Sequence, residues 1–154
     1  MELFRITTEE HAVILSSSGS ANRWNRRGQN VIYAGTSRSL VTLESIVHKS
    51  SIKPAAVYKV MVISVSDDEN LIKRISVKEL PKNWNTLTAY TTLQAIGSAW
   101  YESHETLLLR VPSVIVPHEY NFVINTEHTG FNKSVKLARV EDYFFDDRLL
   151  KSNP

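Results

Sequence analysis

The run Ala56-Val-Tyr-Lys-Val-Met-Val-Ile-Ser-Val65 constrains the fold more than any other stretch. Its valines and isoleucine favour a pleated strand, and the run is the best candidate for the central strand of a sheet. Shorter apolar runs surround it in the chain. Leu3–Ile6, Asn30–Gly35, Thr106–Val111 and Tyr120–Ile124 read as strands, and Ile75–Leu80 as a further short one; Pro112 breaks the chain after Val111, and Ser113 and Val114-Ile-Val116 follow before Pro117. Val135–Val140 alternates apolar and polar residues, as a half-buried edge strand should. Against these stand two helices, about 37–49 and about 87–101, and a capped helical turn at Thr7–His11. In the first helix Leu40, Leu43 and Val47 form the core-facing stripe. Strands outnumber helices and do not alternate regularly with them. The fold class is therefore α+β, one domain over residues 1–154 with a central mixed or antiparallel sheet. The tail from Glu141 mixes Tyr143, Phe144 and Phe145 with charges, so it packs in part before fraying.

Several function classes drop out. Eighteen basic and sixteen acidic side chains leave a formal charge of +2, too little to indicate nucleic acid or a membrane surface. There is no cysteine, hence no disulfide, thiolate metal site or cysteine nucleophile. The five histidines show no ligand-pair spacing, so no metal is expected. Asp67-Asp68-Glu69-Asn70 reads as a solvated acidic turn. Rossmann, P-loop, zincin and nucleophile-elbow motifs are absent. The start has no apolar leader and no run reaches membrane-spanning length, so a cytoplasmic protein is expected.

Residues Gly19–Glu44 carry the chemistry that packing does not explain. They read as a polar basic loop, a short apolar strand ended by Gly35, and a helix capped by Thr36 or Ser37. The loop holds Arg23 beside Trp24, the strand holds Tyr33, and the helix holds Glu44. An indole is expensive to leave in water, so one reading folds the loop back with Trp24 buried and Arg23 fixed beside it. The other is a solvated basic loop. Glu44 is either a solvated rim residue or a partly buried carboxylate facing a cleft. Arg5, among apolar neighbours, needs a polar partner or the surface. A guanidinium, a phenol ring and a carboxylate brought together suit a dinucleotide.

The run Asn22-Arg-Trp-Asn with Gly28, then Val31-Ile-Tyr-Ala and Leu43-Glu44, resembles the RES domain, named for its Arg, Glu and Ser. The serine fits Ser113 within Leu109-Arg-Val-Pro-Ser-Val-Ile-Val-Pro117, followed by Tyr120-Asn121 and Asn125, and Arg5 fits the opening strand. The resemblance spans residues 3–131. It departs at Ala21-Asn22, at Arg26 in place of a proline, and at Asn125-Thr-Glu-His-Thr129.

This resemblance implies an ADP-ribosyltransferase-like fold and a toxin of a type II toxin–antitoxin pair that destroys NAD+. NAD+ is then the substrate, with no cofactor. Glu44 would stabilise an oxocarbenium-like ribose, the demand met in glycoside hydrolysis. Tyr33 would stack on the cationic nicotinamide, and Arg23 would hold the diphosphate or ribose through a charge-assisted fork. Ser113 would bond nicotinamide or ribose and Arg5 a phosphate, with Trp24 and Asn121 completing the binding set. The implied partner is an Xre-like antitoxin, with no nucleic acid or membrane, and a homodimer fits the family. A protein-modifying ADP-ribosyltransferase with the same residues and a non-enzymatic binding module are the alternatives.

Overall fold

Seven strands form one mixed sheet in the order β4-β5-β6-β2-β1-β3-β7. They are β1 (Glu2–Thr8), β2 (Val31–Gly35), β3 (Tyr58–Val65), β4 (Ile72–Arg74), β5 (Leu108–Pro112), β6 (Tyr120–Asn125) and β7 (Val135–Tyr143). All neighbours pair antiparallel except β4 and β5. Helices α1 (Arg38–Val47) and α2 (Tyr90–Ser103) are joined by two four-residue helices, α3 (Phe131–Ser134) and α4 (Asp147–Leu150). The computed structural model describes residues 1–48, 52–53 and 55–150, so the far end of the expected 37–49 helix and the last tail residues lie outside it. Among the described residues no helix is long and apolar enough to cross a membrane.

The sheet is divided. β1 pairs with β3 along its whole length but with β2 only at Phe4 opposite Gly35. One half, β4-β5-β6-β2, is covered by α2 through Leu93, Trp100 and Tyr101, packed on Val31, Leu109, Val111 and Val123. The other half, β1-β3-β7, is covered by α1, with Val41 against Phe4, Val60 and Val62. Between the halves lies the main core, where Leu3, Met61 and Ile63 meet Ile32, Leu108, Phe122 and Ile124. Past the Phe4–Gly35 pair the two strands diverge, and a cleft opens between Arg5–Thr8 on one side and Tyr33–Ala34 on the other.

Three expectations need correction. β3 is second from one edge and not central; its run is apolar because Val60–Ile63 are buried on both faces, by α1 and by the opposite half. The short strand is Ile72–Arg74. In Val77–Glu79 a tight turn forms instead, because Ser76 caps it and the Glu79 carboxylate accepts from the Ser76 amide. Beyond β5, Val114–Val116 bend, and the Ile115 and Val116 amides turn inward onto Ser113 Oγ. Finally, α1 is rotated from the expected stripe. Leu40 and Val41 are buried, whereas Leu43 is 42% and Val47 62% exposed. At the start of the chain, β1 runs on through Thr8, and only Glu9–His11 form a helical turn, with no side-chain cap from Thr8. Other readings match: Ser37 caps α1 through the Leu40 amide, and β7 is an edge strand. In the tail, Phe145 packs edge-on against Tyr58 and Tyr143.

Candidate active site

The rotation of α1 matters because it carries Glu44 with it. Glu44 stands four residues past Leu40 and three past Val41, on the buried line of the helix, so its carboxylate points into the cleft. There Glu44 Oε1 accepts two hydrogen bonds, from Ser113 Oγ at 3.0 Å and from Asn121 Nδ2 at 2.5 Å. Ser113 is buried, and its oxygen accepts in turn from the amides of Ile115 at 3.1 Å and Val116 at 3.0 Å. Asn121 sits on β6 opposite Gly35. A side chain at Gly35 would meet Val41 at 2.6 Å and the Asn121 amide at 3.3 Å, so glycine is what lets α1 and Asn121 converge there. Both donors act on one oxygen of Glu44. Among the described residues Oε2 has no protein partner.

The loop before β2 is not a solvated basic loop. Trp24 is buried, and Gly97 of α2 makes room for it: a Cβ at residue 97 would lie 1.8 Å from the Trp24 carbonyl oxygen. Gln94 Nε2 donates to the Asn22 carbonyl at 2.8 Å, and Ser98 Oγ to Gln29 Oε1 at 3.0 Å. Gly19 and Gly28 both adopt positive φ and close the loop base through the Gly28 amide and Gly19 carbonyl. Arg23 is thereby held at the cleft wall. Its Nη1 donates to the Trp84 carbonyl at 3.1 Å, and its guanidinium lies 4.7 Å from the Tyr90 ring centre.

Tyr33 has two ends in use. Its ring lines the cleft; its hydroxyl accepts from the Trp24 amide at 3.1 Å and donates to Asn25 Oδ1 at 2.8 Å. Burial pushes this phenol well above its ordinary pKa, so it stays a donor. Arg5 reaches the cleft from β1 and found a backbone partner, the Ser16 carbonyl at 2.9 Å. Desolvation alone lowers its pKa, and no carboxylate pairs with it among the described residues.

The resulting cleft has a volume of about 720 Å3, in the range of small-molecule sites. Glu44, Arg23, Tyr33, Arg5, Trp24 and Asn121 all line it. Ser113 lies just behind, on Glu44. Glu10, the other carboxylate in the lining, is exposed at the mouth. Among the described residues no three His, Asp or Glu side chains gather as a metal site, and Asp68 in the acidic turn caps the Asn70 amide at 3.0 Å. Sequence reasoning missed Asn25, Tyr90 and Gly97. Asn25 closes the Asn22-Arg-Trp-Asn run that carries the resemblance, but it was given no role there.

A family model for the RES domain matches residues 2–146. The chain belongs to the RES domain family. Among curated relatives of this RES protein, one named Toxin Res, from Photorhabdus laumondii, is 31% identical over 99% of both chains. A Sphingobium protein named Prs ADP-ribosylating toxin is 34% identical over 89% of this chain and 87% of its own. The fold is shared with the MbcT–MbcA toxin–antitoxin complex of M. tuberculosis, which aligns with a TM-score of 0.72 at 19% identity. That alignment covers 92% of this chain and 83% of the other.

Proposed function

We propose that this RES domain is the toxin of a toxin–antitoxin pair and cleaves the nicotinamide–ribose bond of NAD+. The observation that carries the reading is the Glu44 carboxylate, fixed through one oxygen by Ser113 and Asn121 while the other faces a cleft walled by Tyr33, Arg23 and Arg5. The nicotinamide of NAD+ is cationic and leaves with the electron pair of its glycosidic bond as a neutral ring, so no general acid is required. What remains is positive charge on the ribose, and a preorganised carboxylate is the group that offsets it. The Tyr33 ring face suits the cationic leaving ring. The two guanidiniums suit the diphosphate. Oxygen of water or phosphate then bonds the ribose carbon and loses its proton to solvent.

Incubation of purified protein with NAD+, with and without phosphate, tests this by mass analysis of products. Free nicotinamide with ADP-ribose, or with its phosphorylated form, supports the reading and identifies the acceptor. An intact NAD+ pool in both buffers refutes it. A second reading, transfer of ADP-ribose to a protein, is favoured by the name of the Sphingobium relative. Label appearing on protein in a cell extract, with no free ADP-ribose, selects it. The solved complex supports an antitoxin as partner; an Xre-like one, acting with the toxin in the cytoplasm, completes the proposal.

A further inference from the structure

We infer that Asn25 is the positioning residue of the cleft, joining the Tyr33 ring and the Arg23 loop into one rigid unit through the Tyr33 hydroxyl. The inference rests on the proposed NAD+ reading and goes beyond it, because Asn25 itself does not line the cleft.

Asn25 is a polar side chain with 1% exposure, placed in the loop between the buried Trp24 and the exposed Arg26. A buried amide costs stability unless its donors and acceptor are all met. Here they are. Nδ2 donates to the Ser20 carbonyl at 2.8 Å and to the Arg26 carbonyl at 3.0 Å, and Oδ1 accepts from the Tyr33 hydroxyl at 2.8 Å. The Asn25 backbone also pairs with Asn22, bracketing Arg23 and Trp24 within a two-residue reversal. The Tyr33 hydroxyl closes the circuit by accepting from the Trp24 amide. Asn25 and the hydroxyl it holds are therefore the direct link between the Arg23–Trp24 reversal and the Tyr33 ring, while Gln94 and Gly97 of α2 hold the same loop from its other side. Neither aspartate nor serine reproduces this set: aspartate sets a carboxylate against two carbonyls, and serine is too short to span them.

Two variants and their combination test the inference. Asn25→Ala removes all three side-chain bonds. Tyr33→Phe keeps the ring and removes one oxygen, so it carries the test even where Asn25→Ala fails to fold. Each single variant is expected to raise KM for NAD+ about tenfold, the worth of one or two hydrogen bonds, with kcat kept within about threefold. Loosened substrate positioning has that signature, whereas simple loss of folded protein lowers apparent kcat alone. Because both act on one linkage, the double variant should stay near twentyfold, not reach the roughly hundredfold of independent effects. Hydrogen exchange of the Trp24 amide should accelerate about tenfold in Tyr33→Phe. Multiplicative effects, or faster Trp24 exchange with unchanged KM, overturn the inference. Should the wild type consume no NAD+, the activity reading fails by itself. The linkage is then judged on Trp24 exchange, and unchanged exchange in both variants overturns it.

Discussion

Replacing Gly97 with alanine sets two measurable effects against each other. In a helix interior, glycine to alanine ordinarily stabilises by about 1 kcal/mol, since the unfolded chain loses freedom and the helix gains a better former. Gly97 lies in the middle of α2, so propensity alone predicts a gain. The new Cβ, however, would sit 1.8 Å from the Trp24 carbonyl oxygen and 2.7 Å from its carbonyl carbon. Both are backbone atoms, and the Trp24 indole is buried in the core under α2, so the loop has no free direction in which to yield. Overpacking of this kind costs about 1–3 kcal/mol and more when backbone must move. The clash therefore wins by roughly 2 kcal/mol, and Tm should fall by about 4–8 °C for a domain of this size. Arg23 precedes Trp24 directly, so NAD+ turnover should fall by about tenfold or more in protein that is still folded. Thermal melts and a nicotinamide-release assay read the two quantities. A raised Tm with full turnover would mean that the loop is not seated on α2, and the account of how Arg23 is held would be wrong.

Other predictions follow from the same contacts. Glu44→Gln should abolish turnover, a loss of at least about a hundredfold, while shifting Tm little, because the amide oxygen still accepts from Ser113 and Asn121. Ser113→Ala strands the Ile115 and Val116 amides and frees Glu44; it should cost about 1–3 kcal/mol in denaturant unfolding and lower kcat. Arg23→Lys should raise KM nearly as much as Arg23→Ala, as steady-state kinetics can show, since an ammonium cannot both reach the Trp84 carbonyl and lie flat on Tyr90. Glu2 and Glu141 have pKa values lowered by hydrogen bonds from Arg139 and Arg38, respectively. Their contribution is present above the ordinary glutamate value and lost as pH falls through the lowered one. Glu141→Gln should therefore flatten the acid side of a Tm–pH curve, and added salt should shrink the difference.

How much of this was legible in the sequence depends on what each residue answers to. β-branched runs announced strands because burial on a sheet selects them directly, as in Val60–Ile63. Their order was not legible: a run buried on both faces looks the same second from an edge as in the middle. Ile75–Leu80 misled because its apolar residues alternate, while a local cap between Ser76 and Glu79 decided the backbone. The α1 stripe was misplaced by one residue, since Leu43 satisfies helical spacing as well as Val41 does, and only the cleft shows which side faces in. Arg23, Tyr33 and Glu44 stood out because charge and aromatic chemistry were surplus to packing. Asn25, although it closes the Asn22-Arg-Trp-Asn run, and Gly97 were given no role for the opposite reason. Asparagine in a polar loop and glycine in a helix are both unremarkable until the partner, sixty or more residues away for Gly97, is in contact.

The single Phe4–Gly35 pair has a mechanical meaning. Elsewhere in the sheet, neighbouring strands are fastened by rows of peptide hydrogen bonds whose spacing is inelastic. At this seam only one rung exists, so the gap beside it is gauged by side-chain volume in the core beneath, chiefly Leu3, Met61 and Ile63 against Ile32 and Phe122. The width of the cleft is thus a packing variable rather than a backbone constant. Methyl groups added or removed in a layer that never touches the ligand would tune the aperture by fractions of an ångström, a route to altered substrate range that leaves every residue of the site unchanged.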